Sequence, residues 1–169
     1  ARLSSSPGGE DQTAGGQAAA AIAMSFAIVK RVLGVDYGSA RIGVAVSDEL
    51  GMLAHPLETI PAKDVNAAAK RVAELAQEKD VERVVLGMPK HMSGAIGVAA
   101  EEVSAFANKL RPLLKCELMM WDERLTTTAA LRSLRDSGQK TKHTRGVVDQ
   151  VAAQMILQGY LDRAQLTRE

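Results

Sequence analysis

The pattern of apolar and polar positions becomes regular at Val32 and predicts strands first. Residues 32–36 (VLGVD) are a short apolar run that ends in an aspartate, and in residues 41–48 (RIGVAVSD) large apolar side chains alternate with smaller ones. Runs and alternations of this length are typical of β-strands, so we expect the two segments to pair as a hairpin. A third short strand is predicted over residues 57–60, before Pro61.

Further along the chain, the pattern predicts helices that alternate with two more strands. Asp64 can cap a helix whose apolar residues recur at helical spacing. Residues 82–89 (ERVVLGMP) contain the unbroken apolar run of a buried central strand, and residues 116–121 predict another strand. A helix is expected after each of these strands, the second one ending near Gly138, and a last helix is expected over about residues 147–164.

The order of these elements predicts the fold class. An α/β chain with the order β-β-β-α-β-α-β-α implies a mixed five-stranded sheet flanked by helices. The opening strands form an antiparallel meander, and the later connections place the fourth and fifth strands parallel to the first. The carboxyl ends of three strands should therefore meet at one edge, where open α/β sheets bind their ligands.

Composition and charge narrow the class of protein. The first 23 of the 169 residues are rich in Gly, Ser, Ala and Gln, which predicts a disordered or cloning-derived extension before a single domain over residues 24–169. The formal net charge is +1, so nucleic-acid binding would need a local basic patch. A single cysteine, and the lack of an apolar segment long enough to span a bilayer, favour a cytoplasmic protein without a membrane partner.

Three acidic residues are predicted to meet at the carboxyl edge of the sheet. Asp36 ends the first strand, Asp149 shares the inward face of the last helix, and Glu123 follows the fifth strand. Because side chains alternate along a strand, only one of Asp122 and Glu123 can face Asp36, and the longer Glu123 is the candidate. Two of the three acids also have an ordinary structural role available. Asp36 can cap the turn at residues 37–39, and Asp149 can interact favourably with the helix dipole.

The chemistry of these three carboxylates indicates a metal-dependent hydrolase. Carboxylates without histidine or cysteine are the ligands that hard divalent cations such as Mg²⁺ or Mn²⁺ prefer. Two such ions about 3.5–4 Å apart would activate a water molecule and stabilise the leaving oxygen of a phosphodiester. We therefore expect a nuclease in which the protein supplies the geometry of the metal site.

Four sequence motifs occur in order along the chain: VLGVDYGSARIGVAVSD (residues 32–48), VVLGMPKHMSG (84–94), WDERLTT (121–127) and VDQVAAQMILQGYLD (148–162). Together they resemble the YqgF/RuvX family of bacterial ribonuclease H-like proteins, which are described as pre-16S rRNA nucleases or Holliday junction resolvases. The resemblance extends over essentially all of residues 32–162 and implies a ribonuclease H-like fold.

The resemblance also implies an activity and a site. The activity is metal-dependent cleavage that processes the 5′ end of pre-16S rRNA in ribosome biogenesis, and the implied catalytic metal ligands are Asp36, Glu123 and Asp149. In the wider ribonuclease H superfamily, many relatives carry an acid where this fourth strand ends in Gly87-Met88-Pro89. A site for one metal ion therefore remains open as an alternative to a site for two.

Basic residues near the predicted edge are candidates for substrate binding. Residues 137–148 contain Lys140, Lys142 and Arg145 without an acidic residue, which predicts a flexible basic loop that holds phosphates beside the metals. The alternative is an ordinary solvated loop. Lys90, in the loop after the fourth strand, is a second candidate for the same role.

Arg124 has two interpretations, either as a phosphate clamp or as the ion-pair partner of the neighbouring acids. Only five aromatic residues occur in the chain, so an extended base-stacking surface is not expected. Recognition of the backbone and shape of a structured RNA is the better expectation, with branched or single-stranded DNA as the alternative.

Three other functions compete with an RNA nuclease. Resolution of Holliday junctions would use the same chemistry and usually needs a dimer, and the sequence leaves monomer and homodimer open. The pattern Gly34-x-Asp36-x-Gly38 also resembles the phosphate-binding hairpin of actin-like ATPases, but those enzymes enclose their nucleotide between two related domains. A non-catalytic ribosome-assembly factor would keep the fold and bind RNA without cutting it.

Overall fold

The computed structural model of the protein describes residues 30–89, 95–123 and 142–167, with the side chains of all of these except residues 95–96 and 142–146. The described elements are five strands and three helices. In chain order they are β1 (Arg31–Tyr37), β2 (Arg41–Ser47), β3 (Ala54–Pro61), α1 (Val65–Glu78), β4 (Val81–Met88), α2 (Ala95–Leu110) with a short 3₁₀ turn (Arg111–Leu113), β5 (Glu117–Asp122) and α3 (Lys142–Leu166).

The five strands form one mixed sheet in the spatial order β3-β2-β1-β4-β5. β1 pairs antiparallel with β2, and β2 pairs antiparallel with β3. β4 lies parallel to β1, and β5 lies parallel to β4. The predicted mixed five-stranded sheet, with its opening meander and with the first, fourth and fifth strands parallel, is therefore confirmed.

Helices cover both faces of the sheet. The core beneath α1 and α2 is built from large side chains of alternate strand positions, such as Leu33, Val35 and Leu86. On the opposite face α3 packs against the intervening positions, with Ile156 and Leu157 among its buried residues. Because side chains alternate along a strand, the α3 face also carries Gly34 and Asp36 of β1 and Gly87 of β4, and this face holds the site described below.

Side-chain hydrogen bonds cap α1 and join α3 to β3. The Asp64 side chain caps α1 by accepting a hydrogen bond from the Ala67 N–H, at 3.0 Å, as predicted. A row of glutamines spaced by four residues along α3 hydrogen-bonds across to β3 and the turn before it. The amide of Gln150 donates to the Thr59 hydroxyl, Gln154 donates to the Ala54 carbonyl, and Gln158 both accepts from the Ala54 N–H and donates to the Met52 carbonyl.

Two predicted boundaries are wrong. β3 begins at Ala54 rather than at residue 57. α3 begins at Lys142 rather than near residue 147, so the second half of the predicted basic loop at 137–148 is helical. Gly138 and Gly146 flank the basic residues of the predicted loop, but one glycine inside a helix costs only about 1 kcal/mol relative to alanine. The packing of a long helix against the sheet outweighs a penalty of that size.

Other predictions concern residues outside the described part of the chain. These are the extension over residues 1–23, the loop that contains Lys90, and the helix predicted to end near Gly138. Among the helices that the structure describes, none is both long enough and apolar enough to cross a membrane.

Candidate active site

Three buried acidic residues mark the α3 face of the sheet. Asp36, Asp149 and Glu123 are 0%, 1% and 7% exposed, and no other charged residue in the described part of the chain is buried. A buried carboxylate is costly unless other groups compensate for its charge. The concentration of all three on one face therefore indicates a site rather than a chance distribution.

Asp36 lies between two glycines on the neighbouring strands. It pairs with Gly43 of β2, and the pairing of Val35 with Leu86 places Gly87 of β4 next to it on the other side. Neighbours in register project to the same face, so the space on both sides of the Asp36 carboxylate is free of strand side chains. Other parts of the chain enter this space.

The backbone of α3 lies very close to the sheet at Gly43. A Cβ atom at this position would lie 1.9 Å from the carbonyl oxygen of Asp149 and 2.4 Å from its carbonyl carbon. Only glycine allows the helix backbone to lie there. The lack of a side chain at position 43 thus seats Asp149 over the strand that neighbours Asp36.

Gly87 receives the third acid. A Cβ atom there would lie 2.7 Å from the Glu123 Oε1 and 2.6 Å from the Ile156 Cδ1. Glu123 follows directly after β5, whose Trp121 pairs with Gly87 and packs in the core on the α3 face. Asp122 instead pairs with Met88, which packs against the opposite core. The prediction that Glu123, and not Asp122, faces the side of Asp36 agrees with this arrangement.

Arg41 joins the site, and sequence reasoning missed it. Its Nε donates to the Asp149 Oδ2 at 2.7 Å, across 108 residues of sequence. Arg41 begins β2 and lies two residues before Gly43, so the same alternation that places Gly43 under α3 places the arginine on that face. That strand period was the available signal, but it becomes informative only once α3 is known to cover this face.

The residues fit a divalent cation by donor type. All three acids offer oxygen ligands, which Mg²⁺ and Mn²⁺ prefer, and the glycines at 43 and 87 let Asp149 and Glu123 approach the strands beside Asp36. Within the described ranges, however, no three His, Cys, Asp or Glu side chains are grouped closely enough to hold a metal ion as they stand. The structure brings the acids to one face and one edge without assembling a finished ligand set.

The predicted substrate-binding residues are only partly described. Lys90, Arg124 and Lys140 lie outside the described residues. Lys142 and Arg145 lie in the first turns of α3, seven and four residues before Asp149, and not in a loop. The backbone of Lys142 therefore lies about two helical turns from Asp149, and that of Arg145 about one turn, at about 5.4 Å per turn.

Trp121 packs in the core on the α3 face of the sheet. Its indole N–H is buried and, within the described residues, has no hydrogen-bond partner, while its ring packs edge-on against Tyr160.

Cys116 packs against the core beneath α1 and α2, and burial raises the pKa of its thiol, so the reactive thiolate is disfavoured. Both observations indicate that Cys116 is a packing residue.

Comparison with known proteins identifies the family. The RuvX family model, described as Holliday junction resolvase, matches residues 30–163. The chain belongs to the RuvX family. A similar protein of Halalkalibacterium halodurans, named "Putative pre-16S rRNA nuclease", is 49% identical over 138 residues, which are 80% of this chain and 99% of that protein. A protein of the same name from Acetivibrio thermocellus is 48% identical over 134 residues, 78% of this chain and 95% of that protein.

Solved structures with a similar fold include resolvases. RuvC of T. thermophilus in complex with a Holliday junction substrate has a TM-score of 0.47 and 14% identity, covering 80% of this RuvX chain and 96% of that chain. The resolvase of Fowlpox virus with Holliday junction DNA has a TM-score of 0.45 and 10% identity, covering 79% and 98%.

Proposed function

We propose that this RuvX protein is a divalent-metal-dependent nuclease that processes the precursor of 16S rRNA in the cytoplasm. The observation that carries the proposal is the set of three buried carboxylates, Asp36, Glu123 and Asp149, on one face at the carboxyl edge of β1, β4 and β5. The name shared by relatives that are nearly half identical supports an rRNA precursor as the substrate.

In this proposal the three acids hold Mg²⁺ or Mn²⁺, which supplies a water nucleophile and stabilises the leaving oxygen of the phosphodiester. The protein fixes the ligands on rigid elements: Asp36 on a central strand, Asp149 on a helix seated against Gly43, and Glu123 at the end of β5 against Gly87. Ligands held by strands and a helix keep their positions better than ligands on loops, which favours productive geometry.

Substrate binding in this proposal depends on basic residues around the acids. Lys142 and Arg145 precede Asp149 on α3, and Lys90, Arg124 and Lys140 are the remaining candidates for contacts with phosphates. Such contacts release counterions, so binding should weaken steeply with salt. Replacing Lys142 and Arg145 with Ala should therefore weaken RNA binding and flatten its salt dependence, and an unchanged salt slope would remove these two residues from the proposal.

The test compares acid variants in a cleavage assay with a 16S precursor fragment, in Mg²⁺, Mn²⁺ or EDTA. Asp36→Asn, Glu123→Gln and Asp149→Asn should each lower the rate at least about a hundredfold, since loss of even an outer partner of a metal ligand costs 10–100-fold. Asp162→Asn is the matched control, because Asp162 is an exposed acid on the same helix as Asp149 and bonds only locally, to Gln158, among its described contacts. It should cut like the wild type.

A second candidate function is resolution of branched DNA, which the description of the family model favours. A four-way DNA junction in the same assay separates the two functions by which substrate is cut faster. If neither substrate is cut while the RNA is still bound, the nuclease proposal is wrong and the protein is a non-catalytic assembly factor.

A further inference from the structure

Arg41 contacts the candidate metal site but cannot be a metal ligand, because a guanidinium has no lone pair to donate. We propose that Arg41 is a positioning residue that acts as a built-in cation: it neutralises Asp149 in the metal-free protein and competes with the metal ion for that carboxylate. The inference rests on the metal site of the proposed function, and it adds a role for a residue outside the acid triad.

The Arg41–Asp149 ion pair differs from the other ion pairs of the described residues. Its acid is 1% exposed, and the arginine side chain is 29% exposed. In every other described ion pair the acidic side chain is at least 34% exposed. Exposed pairs contribute little to stability, whereas removing one partner of a buried pair leaves an uncompensated charge.

The position of Arg41 explains why the protein needs a cation there. Asp149 lies over Gly43, the strand neighbour of Asp36, and Glu123 approaches Gly87 on the other side of Asp36. Like charges brought together in a buried site repel one another, and one fixed positive charge lowers that repulsion. Arg41 supplies such a charge, since its Nε binds one oxygen of the Asp149 carboxylate.

A bound divalent ion would also lower the repulsion among the three carboxylates. The metal and the guanidinium are both cations, and both are attracted to the Asp149 carboxylate, so each weakens the binding of the other. Loss of Arg41 should therefore destabilise the metal-free protein and tighten metal binding. A residue with a purely structural role would lower stability equally with and without metal.

The experiment measures Mn²⁺ affinity by titration calorimetry, and the melting temperature in EDTA and in saturating Mn²⁺. Arg41→Gln should melt lower in EDTA, gain a larger upward shift from Mn²⁺ than the wild type, and bind Mn²⁺ about tenfold more tightly. Arg41→Lys keeps the charge and should bind Mn²⁺ within about twofold of the wild type. Arg31→Gln is the matched control, since Arg31 has similar exposure but pairs with the exposed Glu49, and it should leave Mn²⁺ affinity unchanged.

If Arg41→Gln does not fold, Arg41→Gln/Asp149→Asn decides the question. Removing the uncompensated acid should restore folding, and failure to restore it would overturn the proposal. The proposal is also overturned if Arg41→Gln binds Mn²⁺ as the wild type does or more weakly, or if its melting temperature falls equally in EDTA and in Mn²⁺. A wild-type protein that binds no Mn²⁺ would instead refute the metal site of the proposed function, and the role of Arg41 with it.

Discussion

The two faces of the sheet use the same strands in opposite ways. Towards α1 and α2, β1 and β4 present Leu33, Val35 and Leu86, which are fully buried in an aliphatic core. Towards α3, the adjacent position of β1 holds Asp36, and that of β4 holds Gly87. One face fills its space with large aliphatic side chains, whereas the other has glycines at positions 34, 43 and 87, which let a helix and the acids come close.

This difference separates stability from chemistry within single strands. A residue on the aliphatic face contributes by the apolar area that it buries. The glycines on the α3 face contribute to the site because they have no side chain: the backbone of Asp149 packs against Gly43, and the carboxylate of Glu123 packs against Gly87. Substitutions on the two faces should therefore have separable effects on stability and on metal binding.

The largest effect on stability is expected for Leu86→Ala on the aliphatic face. Leu86 is fully buried, and truncation of such a side chain costs about 2–5 kcal/mol. Urea denaturation measures this loss. Mn²⁺ affinity, measured where the variant is still folded, should stay within about twofold of the wild type, because the cavity opens on the face away from the acids. A large loss of affinity would show that the two faces are not separable.

Gly43→Ala is expected to cost about 1–3 kcal/mol, since its Cβ would meet backbone atoms of Asp149 that cannot move unless α3 shifts. Here Mn²⁺ affinity and cleavage should fall together with stability, because the shift displaces Asp149. Full activity with unchanged stability would contradict the close approach of helix and sheet at Gly43.

Gly87→Ala should cost less, about 1 kcal/mol, because its Cβ would meet the ends of two flexible side chains, those of Ile156 and Glu123. Cleavage should nevertheless fall, since Glu123 must turn away from the position beside Asp36. Urea denaturation should show a smaller loss of stability for Gly87→Ala than for Gly43→Ala, and the cleavage assay should show a lower rate for both. An effect on stability without an effect on cleavage would remove Glu123 from the site.

The smallest effect is expected for Glu58→Gln, whose side chain pairs with Arg71 of α1 on the face of the sheet opposite α3. A hydrogen bond from Arg71 holds the pKa of Glu58 below its usual value. The pair therefore stabilises the fold at neutral pH, by less than about 1 kcal/mol, and this stabilisation is lost as the pH falls through the lowered pKa. Denaturation of Glu58→Gln at pH 7 and at acid pH should show the difference only at pH 7, with Mn²⁺ affinity unchanged.

Much of the fold could be predicted because it depends on local patterns. Each of these signals depends only on residues close in sequence, as in the alternation in β2, the apolar run of β4 and the cap at Asp64. The candidate acids could be predicted as well, since Asp36 and Glu123 end strands that a parallel arrangement brings to one edge. The start of α3 could not, because Gly146 has the same local signature in a loop as inside a helix stabilised by packing.

Contacts between distant parts of the chain were the part that the sequence did not predict. Arg41 meets Asp149 only because glycines at 34 and 43 let α3 lie against β1 and β2. The glutamines of α3 likewise have hydrogen-bond partners only because β3 lies beside the helix. Each side chain is ordinary in its own segment, and its role arises from the packing of two elements that are about a hundred residues apart.

The most direct test of the metal site is Mn²⁺ binding by the wild type and by Asp36→Asn, measured by titration calorimetry with Asp162→Asn as the control. Asp36→Asn keeps the size of the side chain and removes the charge of one of the three proposed ligands. We expect the wild type and Asp162→Asn to bind Mn²⁺ alike, and Asp36→Asn to bind it at least about tenfold more weakly. Equal Mn²⁺ affinity of the wild type and Asp36→Asn would contradict the proposed metal site.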